Sequence, residues 1–150
     1  MLQEKLNVPA STTAMAFVRA AKTIGAKRVA IVATYSEDVA VLFKKFLEAF
    51  DIEVIQYTSK GIITAAEVGT MGRDDLIRLA AGNNHAHADA LLIPDTALHS
   101  VAWLEELEEA AQIPVMTANQ VSFWEAVRLT GQLRPQTGLG TLFARDSTVS

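Results

Sequence analysis

The sequence has no cysteine, and that one absence removes disulfides, thiolate metal sites and cysteine nucleophiles together. Basic charge is not in surplus either: 13 Lys and Arg stand against 17 Asp and Glu, giving a formal net charge of −4. The basic residues are scattered, so neither nucleic acid nor an anionic membrane is an expected partner. No apolar run approaches the roughly 20 residues that a spanning helix requires. The N-terminus has neither the charged nor the apolar region of a signal peptide, so the expected location is cytoplasmic. Gly-rich phosphate loops, nucleophile elbows and Walker patterns are also missing, and no cofactor is implied. His85 and His87 share a polar loop without a third ligand nearby in sequence, so no metal site is expected.

What is there describes a folded domain. The chain has 150 residues, half of them hydrophobic and a fifth charged, and its mean hydropathy of +0.21 excludes disorder for most of its length. Short apolar, β-rich runs at Lys27–Ala33, Ile52–Tyr57, Ala88–Ile93 and Ile113–Met116 read as strands covered on both faces. Between them lie helical periods. One follows the caps Ser11, Thr12 and Thr13 and stops at Gly25; others begin at Glu37, Asp74, about Ser100 and Asn119. Strands alternating with helices predict an α/β fold, a four-stranded parallel sheet flanked by helices with right-handed crossovers. Residues 1–130 read as a single α/β lobe, and 131–150 as a C-terminal tail that is partly loop.

Chemistry in such a sheet gathers at the carboxyl ends of its strands. Those exits are Thr34-Tyr35-Ser36, Lys60-Gly61, Pro94-Asp95-Thr96 and Thr117-Ala118-Asn119. Hydroxyl donors and helix N-termini converging there would suit a small anion such as a carboxylate. The competing reading is that Ser, Thr, Asp and Asn at these places only cap helices, and that Gly61 is only a turn glycine. His99 reads as a structural histidine at the start of the helix beside Asp95. Glu105, Glu106, Glu108 and Glu109 read as a solvated helix face, and Trp103, Phe123 and Trp124 as core or interface anchors.

A set of short motifs points further: Val8-Pro9-Ala10-Ser11-Thr12-Thr13, Lys27-Arg28-Val29-Ala30-Ile31-Val32, Thr34-Tyr35-Ser36-Glu37-Asp38, Gly61-Ile62, Ala90-Leu91-Leu92-Ile93-Pro94-Asp95 and Ile113-Pro114-Val115. To these are added Phe123-Trp124-Glu125-Ala126-Val127-Arg128-Leu129 and Gly138-Leu139-Gly140-Thr141-Leu142-Phe143. Together they resemble the aspartate/glutamate racemase superfamily, in its arylmalonate decarboxylase and maleate cis-trans isomerase branch. The variant Pro94-Asp95-Thr96-Ala97 also resembles the ectoine-utilisation proteins of that superfamily, whose ligand is a cyclic amidine.

The resemblance implies one lobe of a two-lobed racemase-like fold, with the active site between the lobes and this chain as the second lobe. Self-association or a missing N-terminal lobe would then complete the cleft. It implies a cofactor-independent racemase, isomerase or decarboxylase acting by proton transfer on a small carboxylic acid held as an enediolate. Tyr35 and Asp95 fall at catalytic positions, with Ser36, Thr96, Asn119 and Gly61 as substrate-binding candidates. Counting back from Pro114 without a gap, Asp95 occupies the place of the cysteine that delivers the family's proton. A thiol with pKa about 8.5 is a competent acid at neutral pH, whereas a carboxyl with pKa about 3.9 is already ionised. The alternative is therefore a non-catalytic binding protein for a small metabolite that has lost the catalytic cysteine.

Overall fold

A computed structural model describes residues 2–62, 64–83 and 86–145; His85 and the last five residues lie outside the described set. Helix α1 spans Leu2–Leu6 and α2 Thr13–Ile24, followed by β1, Arg28–Ala33, α3, Glu37–Glu48, and β2, Glu53–Ser59. Then come α4, Ala65–Gly69, α5, Arg73–Ala81, and β3, Ala90–Ile93. A single 3-10 turn at Val101–Trp103 leads into α6, Leu104–Ala111, followed by β4, Val115–Thr117, α7, Ala118–Leu129, and α8, Gly140–Ala144.

Local chemistry sets these limits. The Thr12 side chain accepts the Met15 N–H at 3.2 Å to open α2. Gly25, with φ of 77°, closes it in a left-handed turn, its N–H reaching the Lys22 carbonyl while that of Ala26 reaches Ala21. The strands pair in parallel in the order β2-β1-β3-β4. All four residues of β3 and the last five of β1 are buried, as strands covered on both faces must be.

Two apolar layers sandwich the sheet. Val29, Ile31, Leu92 and Met116 meet Phe17, Leu47, Trp124 and Phe143 on one face, so α2, α3, α7 and α8 cover it. Ala30, Val32, Leu91, Ile93 and Val115 meet Val68, Leu76, Leu79 and Leu107 from α4, α5 and α6 on the other. Alternate residues of one strand thus feed opposite cores, the period of a sheet buried on both sides. The order of connection reverses between β1 and β3, because the chain leaves β1 toward β2 and returns on its other side.

Two expectations shift. The residues from Gln132 onward, read from sequence as loop and frayed end, include α8, whose Leu142 and Phe143 are buried in the first core. Glu108 accepts hydrogen bonds from the N–H and hydroxyl of Thr141, and Gln120 donates to the Leu139 carbonyl at 2.7 Å, which ties this segment to α6 and α7. The helix expected from about Ser100 begins at Leu104, after the 3-10 turn. Asp95 and His99 therefore lie in a loop rather than in the first turn of a helix.

Candidate functional site

The four strand exits stand on one edge of the sheet, as parallel pairing requires, and hydrogen bonds connect all of them. Ser59 Oγ donates to the Tyr35 carbonyl at 2.6 Å, and the Ile62 N–H to the Thr34 carbonyl at 2.7 Å, joining the exits of β2 and β1. Across the reversal point, the Thr34 hydroxyl donates to Asp95 Oδ2. Asn119 Nδ2 reaches from the exit of β4 to the carbonyls of Thr96 at 3.0 Å and Leu98 at 3.1 Å.

Asp95 is half-buried where the sheet's connectivity reverses, the position at which open α/β sheets collect ligands. Its two oxygens have different partners. Oδ1 accepts the Ala97 N–H at 2.8 Å, the local turn that aspartate favours after a strand, while Oδ2 accepts from fully buried Thr34. No salt bridge to Asp95 occurs among the described residues. Tyr35 is half-buried beside it, and its phenol is pushed up to about 12, first by burial and then by the negative charge of Asp95. The phenol therefore keeps its proton across the physiological range and serves as a neutral donor.

The remaining candidates divide by how committed their polar atoms are. Thr96 is exposed at the edge. Ser36 occupies the position before α3 without capping it; its hydroxyl faces the Asp38 carboxylate, and that bond, with the Val39 N–H, lowers the Asp38 pKa. An anion of the chain itself thus already sits at the N-terminus of α3, where the sequence suggested room for a ligand carboxylate. Asn119 spends its amide protons on two backbone carbonyls. Gly61, with φ of 63° and open space around it, shapes the turn after β2. His99 and His87 are exposed, and among the described residues no group of three metal-ligating side chains occurs.

Thr34 is the site residue that sequence reasoning did not single out. Its signal was its place as the first polar residue after a strand of apolar ones, one residue before Tyr35. Two surface cavities, of about 230 Å³ between α2 and α7 and about 430 Å³ beside α5, lie away from Tyr35 and Asp95.

Comparison with known proteins meets this geometry. The family model for arylmalonate decarboxylase matches residues 1–143. Arylmalonate decarboxylase from Bordetella bronchiseptica is 26% identical over 147 residues, which is 95% of this chain and 60% of that protein. A double mutant of arylmalonate decarboxylase in liganded form has a TM-score of 0.87 at 26% identity, over 95% of this chain and 62% of that one. Maleate isomerase from Pseudomonas putida S16 shares the fold, with a TM-score of 0.84 at 24% identity over 91% of this chain and 55% of its own. The chain thus spans about 60% of the length of the curated relative it matches. With nearly all of its residues matched by one family model, and a four-stranded α/β lobe that superposes on solved members, the chain belongs to the arylmalonate decarboxylase family.

Proposed function

We propose that this lobe supplies the proton-transfer wall of a cofactor-independent site for a small carboxylic acid metabolite. Asp95, fixed by the Thr34 hydroxyl at the reversal point and facing the protonated phenol of Tyr35, is the observation that carries the reading. In this scheme the Tyr35 hydroxyl, with Thr96, holds the substrate carboxylate. The Asp95 carboxylate takes the α-proton to leave an enediolate and returns the proton to the same carbon. Ser36 and Gly61 border the substrate at neighbouring exits. A first lobe, or a second copy of the chain, closes the open edge. Asp95 also favours a substrate that presents an N–H or O–H donor to it and disfavours a second carboxylate at the same place.

The test is deuterium uptake from D2O at the saturated α-carbon of two monocarboxylic acids, phenylacetate and 4-aminobutyrate, followed by NMR. Uptake that is lost in Asp95→Asn supports the proton-transfer role. Uptake that is unchanged in the variant removes Asp95 from the chemistry.

A second reading rests on the absence of cysteine: a binding protein that retains the edge without turnover. Saturable calorimetric binding of one of these acids, with no exchange and no product, would favour it.

A further inference from the structure

From the geometry we infer that Asn119 is the positioning residue for Asp95, acting through a single peptide group, and that its amide is not a substrate donor. The Thr96 carbonyl and the Ala97 N–H belong to the same planar trans peptide. On one side that peptide receives the Asn119 Nδ2 proton at 3.0 Å; on the other it donates to Asp95 Oδ1 at 2.8 Å. Turning the peptide to break either bond disturbs both. The second Asn119 bond, to the Leu98 carbonyl at 3.1 Å, holds the next turn of the same loop, and the Ser100 N–H shares that carbonyl at 3.0 Å. Asn119 itself stands in the first turn of α7, whose Ala118, Val121 and Trp124 are buried in the core, so its anchor is rigid.

Beyond these bonds the loop is held by Leu98, buried in the second core with its N–H on the Asp95 carbonyl at 3.4 Å, and the stretch from Asp95 to Ala97 has no buried side chain of its own. Asp95 and Ala97 are half-buried, Thr96 and His99 are exposed, and no helix begins until the turn at Val101. Thr34 fixes Asp95 Oδ2 from the β1 side, and Asn119 fixes Oδ1 indirectly from the β4 side. The carboxylate is thus oriented from both flanks of its own strand. A donor with both amide protons spent on the backbone has none to offer a ligand.

The inference rests on Asp95 being the working group of the proposed site, yet it can be tested without any ligand. The negative charge of Asp95 helps to raise the Tyr35 phenol, so the Tyr35 titration reports where that carboxylate lies. Tyrosine labelled with 13C at Cζ resolves Tyr35 from Tyr57, the other tyrosine of the chain and the internal control. Asp95→Asn sets the full downward displacement of the Tyr35 pKa. Asn119→Leu keeps side-chain size and adds no charge, but it offers no donor to the two carbonyls.

The expected result is a Tyr35 midpoint lowered in Asn119→Leu by at least about half the Asp95→Asn displacement, with Tyr57 unmoved and 15N relaxation dispersion appearing at Thr96–Leu98. Asn119→Ala should give the same pattern. An unchanged Tyr35 midpoint and quiet loop amides in both folded variants would overturn the positioning role. A shifted midpoint in a protein that exchanges no substrate deuterium would leave the inference standing and defeat the proposed function instead.

Discussion

Two carboxylates with opposite surroundings divide this lobe into frame and working edge. Glu125, on α7 and 2% exposed, is met by guanidinium groups from both sides: Arg19 binds one oxygen, and Arg128 donates to both, at 2.8 and 3.2 Å. Asp95 has a hydroxyl and a peptide N–H for partners and, among the described residues, no ion pair. Burial works to raise the Glu125 pKa, but bonds from Arg128 and Ser11 and the charges of Arg128 and Arg19 outweigh it and hold the carboxyl below its ordinary value. A carboxylate between two guanidinium groups knits α2 to α7 and has nothing left to offer; the one at the reversal point of the sheet is the group that meets the ligand in the proposed function. Neutral partners alone do not mark a site. Glu108 has them too, from Val115 and Thr141, but they engage both oxygens in closing α8 onto the lobe.

The comparison can be broken by mutation. Glu125→Ala removes the acid from between two arginines whose side chains are 39% and 36% exposed, so they can turn to water and the loss falls below that of a fully buried pair. A destabilisation of about 2 kcal/mol in urea unfolding is expected. Gly140→Ala tests the Glu108 anchor. At φ of 77° a new Cβ would lie 3.1 Å from both Glu108 Oε1 and Gln120 Nε2. The expected cost is about 1–2 kcal/mol, read from the same unfolding curves. Asp95→Asn keeps Oδ1 as acceptor for the Ala97 N–H and turns its NH2 toward the Thr34 hydroxyl, which can accept in place of donating, and should cost less than about 1 kcal/mol.

The pH dependence sharpens the same contrast. The lowered Glu125 pKa contributes stability that is present above the unfolded value and disappears as pH falls through the folded one, so Glu125→Gln should flatten the acid limb of the stability profile below about pH 4.5. The raised Tyr35 pKa has the opposite sign. Its contribution is complete below the unfolded value of 10.0 and is lost as pH rises through about 12, so Tyr35→Phe should flatten the alkaline limb. Thermal unfolding across pH measures both.

Much of this was legible in the sequence because the signals are periodic. The β3 run Ala90–Ile93 stops at Pro94, and α2 has a cap at Thr12 and a stop at Gly25; each is fixed by neighbours within a few residues. The C-terminal helix escaped because a five-residue helix that starts on a glycine has no period to read, and its stability comes from Glu108 and Gln120, which lie far away in the chain. The site divides in the same way. The exits were visible as polar residues after apolar runs, which brought Tyr35, Ser36, Asp95, Thr96 and Asn119 forward. The commitment of each side chain was not visible, because the bonds from Thr34 to Asp95 and from Asn119 to Thr96 span 61 and 23 residues. The likeness of Ser36 and Asn119 to ligand donors therefore could not be weighed against their bonds within the protein.

The most direct measurement places the two acids side by side: melting temperature, and calorimetric affinity for whichever acid the parent protein exchanges, in Asp95→Asn and Glu125→Gln. If Asp95 is the working group and Glu125 the frame, Asp95→Asn keeps its melting temperature within a few degrees and loses the ligand, whereas Glu125→Gln melts earlier and binds as the parent does. Retained affinity in Asp95→Asn, together with lost affinity in a folded Glu125→Gln, would contradict the account.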